Sequence, residues 1–192
     1  MTTQAIFLDR DGTLNEDPGY LGDPLKVKIF PGVGEALSRL KNNYHFKLIV
    51  ISNQSGISRG LITEKQVYSV NRMVNTLLAK HNVQIDAFYF CPHHPDFSTA
   101  EESECRKPST QMILRAAEEH NINLSGSYFV GDSVADIKCG LNAGLKTILV
   151  KTGNGRESLS ILQKENKIPS FVADNFSEVS NYIINDSTGV NN

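Results

Sequence analysis

The stretch Phe7-Leu8-Asp9-Arg10-Asp11-Gly12-Thr13 decides the reading of this chain. It closes a continuous apolar run, Ala5-Ile6-Phe7-Leu8, with two aspartates and a glycine. A short run without polar alternation suits a strand covered on both faces, as in a parallel sheet. An acidic turn directly after such a strand lies at its carboxyl end, where open α/β sheets bind ligands. Taken alone, Asp-x-Asp-Gly is turn chemistry, because Asp and Gly suit turns whatever their function. Its meaning depends on what surrounds it.

Working outward, similar short apolar runs predict strands over 47–51, 87–90, 128–130, 147–150 and 171–173. Helical patterns separate them. The segment 32–43 carries Val33, Ala36, Leu37 and Leu40 on one face. Over 63–82, Thr63 and Gln66 stand in capping-box positions, followed by a stripe of Val67, Val70, Val74, Leu77 and Leu78. The segment 108–121 opens with Pro108, and 133–143 ends before Gly144. Strands alternating with such helices predict a doubly wound α/β fold with a mostly parallel sheet.

The chain has 192 residues, which suits one domain, read here as 1–185 with a frayed polar tail over 186–192. The formal charge of −2 gives no support to a nucleic-acid partner. No apolar stretch approaches the roughly 20 residues of a membrane span. The first residues carry no basic, apolar and cleavage regions of a signal peptide, so a cytoplasmic protein is expected. Three cysteines argue against a disulfide framework. Cys139 reads as a small buried apolar residue. Cys91 and Cys105 fall in 91–107, an irregular segment long enough to be functional or braced.

Four groups of polar residues recur at predicted strand ends or helix starts: Asp9 to Thr13, then Ser52-Asn53-Gln54-Ser55-Gly56, then Arg106-Lys107-Pro108, then Gly131-Asp132-Ser133-Val134-Ala135-Asp136. Each alone has an ordinary explanation as a loop, a solvated charge or a helix start. Together they are consistent with phosphoryl transfer. A carboxylate can attack phosphorus and form an acyl phosphate. Carboxylates from two strand ends can hold Mg²⁺, which takes oxygen ligands and keeps several waters. A lysine supplies a compact charge for phosphoryl oxygens, and a serine with nearby N–H groups can hold the rest. A second acid can protonate the leaving oxygen and then activate water.

This set resembles the haloacid dehalogenase superfamily of phosphatases, and the resemblance implies a Rossmann-like fold of that type. It implies Asp9 as nucleophile, Asp11 as general acid/base, and Ser52 and Lys107 as the pair that steadies the phosphoryl group. It further implies a Mg²⁺ site of Asp9, the Asp11 carbonyl and Asp132. Asp136 is left between two roles, orienting Lys107 or a metal-bound water from outside the ligand set, and direct ligation, with the first preferred.

The resemblance becomes finer with Asp9 to Asn15, Pro18-Gly19-Tyr20, Asn53 to Gly60, Cys91-Pro92-His93-His94-Pro95 and Cys105-Arg106-Lys107-Pro108. These are similar to the heptose bisphosphate phosphatases of the histidinol-phosphatase-like subfamily. The implications are a small-molecule sugar bisphosphate as substrate, loss of its 7-phosphate in nucleotide-activated heptose and lipopolysaccharide biosynthesis, no large cap domain, and a monomer. Arg106 is then a reader of the distal phosphate or of hydroxyls. Asn53 and Gln54 face sugar hydroxyls, with Ser55 beside them. Arg59 is balanced between substrate and a loop contact. Asp17, Gly19 and Tyr20 match a loop that closes on substrate, although Tyr20 also suits packing. Histidinol phosphate hydrolysis, a phosphomutase and a non-catalytic zinc-loop module are the alternatives.

In this subfamily a structural Zn²⁺ braces the long loop through Cys-x-His and Cys-x-Cys. Cys91, His93 and Cys105 match three positions, and Ser103 stands at the fourth. Structural zinc sites are four-coordinate with Cys and His, and serine is a poor ligand. Three outcomes stay open: zinc completed by water, Glu104 or His94; weakly held zinc; or a loop packed without metal. Weak zinc binding is the expectation.

Overall fold

The computed structural model describes residues 3–189. Six strands form one sheet: β1 (Ala5–Leu8), β2 (Lys47–Asn53), β3 (Ala87–Cys91), β4 (Tyr128–Gly131), β5 (Lys146–Val150) and β6 (Phe171–Ala173). Every neighbouring pair is parallel, in the order β3-β2-β1-β4-β5-β6. The chain starts in the middle, builds outward through β2 and β3, then returns past β1 to β4. The direction of winding therefore reverses between β1 and β4, and a crevice opens at their carboxyl ends.

Both faces of the strands are buried, which is why their sequences lack alternation. Ile6, Leu8, Leu48, Val50, Val130 and Ile148 pack on one side against α1 (Val33–Tyr44), α2 (Glu64–Leu78) and α6 (Phe176–Thr188). Phe7, Ile49, Ile51 and Phe129 face α3 (Gln111–His120) and α4 (Val134–Asn142) on the other. There α5 (Gly155–Lys164) adds Leu162 against Leu149 and Ile137. The expected doubly wound parallel sheet is thus the observed fold.

The α2 capping box forms as expected: the Gln66 amide donates to Thr63 Oγ1 and the Thr63 amide to Gln66 Oε1 at 2.8 Å. The third helix starts at Gln111, later than the expected 108. The backbone before it is otherwise engaged, because the Pro108 carbonyl accepts from Asn142 Nδ2 and the Ser109 carbonyl from Cys139 Sγ, both on α4. The first residues of the expected tail, 186–188, form the last turn of α6. Asp186 is tied there to Tyr128 and, at 2.7 Å, to Lys146. Residues 190–192 of that tail lie outside the described residues. The connections 9–32 and 92–110 hold only the 3-10 turns Pro24–Lys26 and Glu102–Cys105 where a cap domain could sit. No helix among the described residues is long and apolar enough to cross a membrane.

Candidate active site

Asp9 is the first residue past β1, and its amide continues the ladder by donating to the Val130 carbonyl at 2.9 Å. The chain then turns sharply, with the Leu14 amide on the Arg10 carbonyl and the Gly12 amide on the Asn15 carbonyl. Gly12 adopts φ +83°, and a Cβ there would collide with the Asp132 carboxylate. Glycine therefore serves two needs at one position, a left-handed turn and close approach to the neighbouring strand end.

Asp132 follows β4, and its Oδ1 accepts from Thr13 Oγ1 at 3.0 Å while Oδ2 accepts from the Asn154 amide at 2.8 Å. Asp136 sits one turn into α4. Its Oδ2 accepts from the Ser133 hydroxyl and amide at 2.6 and 2.9 Å, which caps the helix. That leaves Oδ1 to face Lys107. Lys107 itself comes from the long irregular segment and is anchored to the end of β2: its amide donates to Asn53 Oδ1 and its carbonyl accepts from Asn53 Nδ2. The Lys107 ammonium, with 2% of the side chain exposed, meets Asp9 Oδ1 at 2.5 Å, Asp136 Oδ1 at 2.6 Å and the Ile51 carbonyl at 2.7 Å.

Asp9, Asp132 and Asp136 each present a carboxylate oxygen within 4.8 Å of the others, and all three are buried. One lysine faces three carboxylates, so two negative charges remain in excess when all are ionised. An all-oxygen set with that excess fits a hard divalent cation such as Mg²⁺. Its cost appears in the acidities. Burial pushes the Asp9 carboxyl up, Lys107 pulls it back, and Asp136 and Asp132 add to the rise. Burial, followed by repulsion from Asp136, raises Asp132 to about 6. Burial works against the Lys107 ammonium, but Asp136 and Asp9 outweigh it and hold its pKa above the ordinary lysine value.

Asp11 is the contrast. Its carboxylate accepts from Arg10 Nε and Nη2, from Asn15 Nδ2 and from Gln54 Nε2, at 2.7 to 3.1 Å. Burial alone would raise its pKa, yet Arg10 and these donors hold it below the ordinary carboxylate value. Two aspartates two residues apart are thus pushed in opposite directions, Asp9 upward by burial and its carboxylate neighbours and Asp11 downward by the donors around it.

These groups open onto one cavity of about 540 Å³, lined by Asp9, Asp11, Ser52, Lys107 and Asp132. Asp17, Gly19, Tyr20, Asn53, Gln54, Ser55 and Arg106 line it as well. Asp17 Oδ1 caps the Gly19 amide at 2.8 Å, which shapes the loop that carries Tyr20 over the rim. Gln54 Nε2 bridges Asp11 and Ser52 Oγ, the latter at 2.6 Å. The amide of Asn53, expected on sugar hydroxyls, is instead occupied by the Lys107 backbone. Arg59 does not line the cavity. Its guanidinium stacks 4.6 Å from the Phe97 ring centroid and bonds His94 Nε2 at 3.1 Å.

The zinc expectation needs correction. Cys91 and Cys105 are joined by a disulfide, with their Cα atoms 5.4 Å apart. The end of β3 and the 3-10 turn Glu102–Cys105 bring them within bridging distance, and three cysteines allow one pair besides the buried Cys139. Zinc requires thiolates, which a disulfide cannot supply. His93 Nδ1 pairs with Ser98 Oγ at 2.9 Å, and Ser103 Oγ is buried without a hydrogen bond. Among the described residues no three potential ligands gather in this loop. With Cys91 and Cys105 bonded to each other, the set Cys91, His93 and Cys105 does not fit a zinc ion in this structure, and a single bridge stands where no disulfide framework was expected.

Sequence reasoning missed four polar contributors. Thr13 and Asn154 orient Asp132, Thr152 Oγ1 donates to the Gly12 carbonyl at 2.7 Å, and Asn71 supports Arg10. The run Lys151-Thr152-Gly153-Asn154-Gly155, directly after a predicted strand, held a signal for two of them. Nothing local marks Asn71, which sits in the middle of α2.

Residues 104–179 match the HAD-hydrolase-like family model. The chain is 46% identical over 153 residues to the D-glycero-beta-D-manno-heptose-1,7-bisphosphate 7-phosphatase of Yersinia pestis, covering 78% of this chain and 81% of that one. It is 36% identical over 197 residues to the D-glycero-D-manno-heptose-1,7-bisphosphate 7-phosphatase of Chlorobaculum tepidum, covering 97% and 98%. The crystal structure of D,D-heptose 1,7-bisphosphate phosphatase from B. bronchiseptica, complexed with magnesium and phosphate, superposes with a TM-score of 0.84 at 30% identity, over 96% of this chain and 99% of that one.

Proposed function

This chain belongs to the family of D-glycero-D-manno-heptose-1,7-bisphosphate 7-phosphatases, haloacid dehalogenase-like hydrolases, and from that premise we propose how its residues remove the 7-phosphate of the sugar bisphosphate. The observation that carries the reading is the buried Asp9 carboxylate at the cavity floor, 2.5 Å from Lys107 and flanked by Asp132. It is the acidic group placed to meet a phosphate entering from the cavity.

An Asp9 oxygen attacks phosphorus while Lys107 and the Ser52 hydroxyl hold phosphoryl oxygens. The negative charge of the bound phosphate favours protonation of Asp11, with the substrate monoanion as the source of the proton, and Asp11 passes that proton to the sugar oxygen as its bond to phosphorus breaks. Asp11, left as the carboxylate seen here, then takes a proton from water, which attacks the aspartyl phosphate and frees Asp9. Mg²⁺ held by Asp9 and Asp132, with the Asp11 carbonyl, supplies the charge that lets an anion approach an anion. Asp136 stays on Lys107 and keeps it aimed. Arg106 lines the same cavity and has no carboxylate partner among the described residues. Burial and then the nearby Arg59 lower its pKa, and the opposite charge of a second phosphate would offset both. The product keeps its 1-phosphate, the group that a later nucleotidyl transfer needs.

Because burial raises Asp132 to about 6 and raises Asp9 as well, Mg²⁺ affinity should fall as pH drops through that range. The Asp132 proton alone predicts roughly tenfold weaker binding at about pH 5 than at about pH 7, and competition at Asp9 adds to that fall, readable by calorimetry. An affinity unchanged over that interval would count against Asp132 as a ligand.

Phosphate release from both anomers of heptose 1,7-bisphosphate and from histidinol phosphate, with Mg²⁺ and with chelator, tests the substrate. The expected kcat/KM favours one heptose anomer over histidinol phosphate by about 100-fold or more, and chelator abolishes it. A preference for histidinol phosphate would overturn the substrate assignment.

A further inference from the structure

Among the described residues Arg10 is the largest side chain that is fully buried, with 1% of its surface exposed. Sequence reasoning gave it no role, and it does not line the cavity. Its guanidinium forms a fork on the Asp11 carboxylate, Nε to Oδ1 at 3.1 Å and Nη2 to Oδ2 at 2.7 Å. The remaining arm, Nη1, donates to Asn71 Oδ1 at 2.8 Å. Asn71 is itself buried, on the inner face of α2 among Val67, Val70 and Val74.

This arrangement has a direction. Asp11 and Gln54 face the cavity, whereas Arg10 and Asn71 stand behind them in the core. A planar fork sets the plane of the carboxylate it grips, which a lysine point charge cannot do. Gln54 Nε2 then links Asp11 Oδ2 to the Ser52 hydroxyl at 2.6 Å, so the acid/base and the phosphate-holding serine share one frame. That frame is fixed to α2 through Asn71. A surface ion pair between adjacent residues would need no such support.

We propose that Arg10, braced by Asn71, is a positioning residue that orients the Asp11 carboxyl toward the leaving sugar oxygen from behind the cavity. The inference rests on the acid/base role given to Asp11 above. A misaimed Asp11 harms the departure of a poor leaving group, an alkoxide, far more than that of a nitrophenolate, which leaves without a proton. The measure is kcat/KM, because it reports the step in which the phosphorus–oxygen bond breaks and excludes later hydrolysis of the aspartyl phosphate.

The test uses three substrates, heptose 1,7-bisphosphate, glycerol 3-phosphate and 4-nitrophenyl phosphate, with wild type, Arg10→Met, Arg10→Lys and Asn71→Leu. For Arg10→Met, kcat/KM on both alkyl phosphates should fall about 100-fold, and on the aryl phosphate less than about 3-fold. Asn71→Leu keeps Arg10 and a packed core, and should show the same selectivity at about 10-fold. Arg10→Lys should recover part of the Arg10→Met loss. Equal losses on alkyl and aryl phosphates in folded variants would overturn the proposal. If Arg10→Met does not fold, Asn71→Leu decides by the same comparison. Wild type that hydrolyses glycerol phosphate but ignores the heptose refutes the substrate assignment alone and leaves the alkyl-to-aryl comparison intact.

Discussion

Asp9→Asn should lower turnover by about 10⁵-fold or more in a protein that remains folded, because the group that forms the covalent intermediate is gone. The substitution is nearly isosteric, and the amide oxygen can still accept from Lys107, so the local hydrogen bonds survive. Stability should hold or rise in metal-free protein. Burial raises the Asp9 pKa, so the fold disfavours its ionised form, and that penalty sets in as pH climbs above the unfolded carboxyl value. Asparagine carries no such penalty, and it relieves repulsion from Asp132 and Asp136. Thermal melting at neutral pH in chelator should therefore place the variant at or above wild type. Residual activity within about tenfold of wild type would remove Asp9 from the nucleophile role.

Lys107→Met is the opposite case, since it should damage both activity and stability. It leaves Asp9 and Asp136 without the ammonium paired to both, beside a third buried carboxylate, Asp132. Removing one partner of a buried ionic group costs roughly 3–5 kcal/mol, because the remaining charges stay desolvated. The sign of the pH dependence follows. The folded pKa of Lys107 is raised, so its contribution is fully present below the unfolded lysine value and persists through neutral pH. The stability gap should narrow in acid, where the carboxylates protonate and need no counter-ion. Saturating Mg²⁺ should also narrow it, by taking over part of the lysine's charge. Urea unfolding at neutral and acidic pH, with and without Mg²⁺, measures all of this. A midpoint equal to wild type at neutral pH would show that the carboxylates do not depend on Lys107.

What could be read from the sequence follows from where the signals were strong. Strands buried on both faces announce themselves as apolar runs, so β1 and β6 have the expected limits and β2, β3, β4 and β5 differ only at their ends. The expected capping box before α2 is local, with both partners three residues apart; the equally local box of Ser133 and Asp136 before α4 was not read. By contrast α5 was not read, because it buries Gly155 and Ser158 alongside Leu162, and small residues leave little apolar periodicity. The helix α6 mixes Phe176, Val179 and Ile183 with a polar majority and was likewise missed.

The same distinction holds at the candidate site. Asp9, Asp11 and Asp132 follow strands, Ser52 lies at the end of β2 and Lys107 precedes α3, and all of them face one cavity. Their supports were not legible, since the Arg10 to Asn71 contact spans 61 positions and depends on how α2 packs. The braced loop was misread because spacing from a resemblance suggested metal ligands. Only the three-dimensional closeness of β3 and the 3-10 turn reveals Cys91 bonded to Cys105.

The most direct test of the account is to trap the intermediate. Protein mixed with heptose 1,7-bisphosphate and Mg²⁺ is quenched in acid within the first turnover, reduced with borohydride and digested for peptide mass spectrometry. The account predicts a phosphoryl group on Asp9, and homoserine at that position after reduction, with neither in Asp9→Asn. Rapid phosphate release with an unmodified Asp9 at every quench time, or a phosphoryl group on another residue, would contradict it.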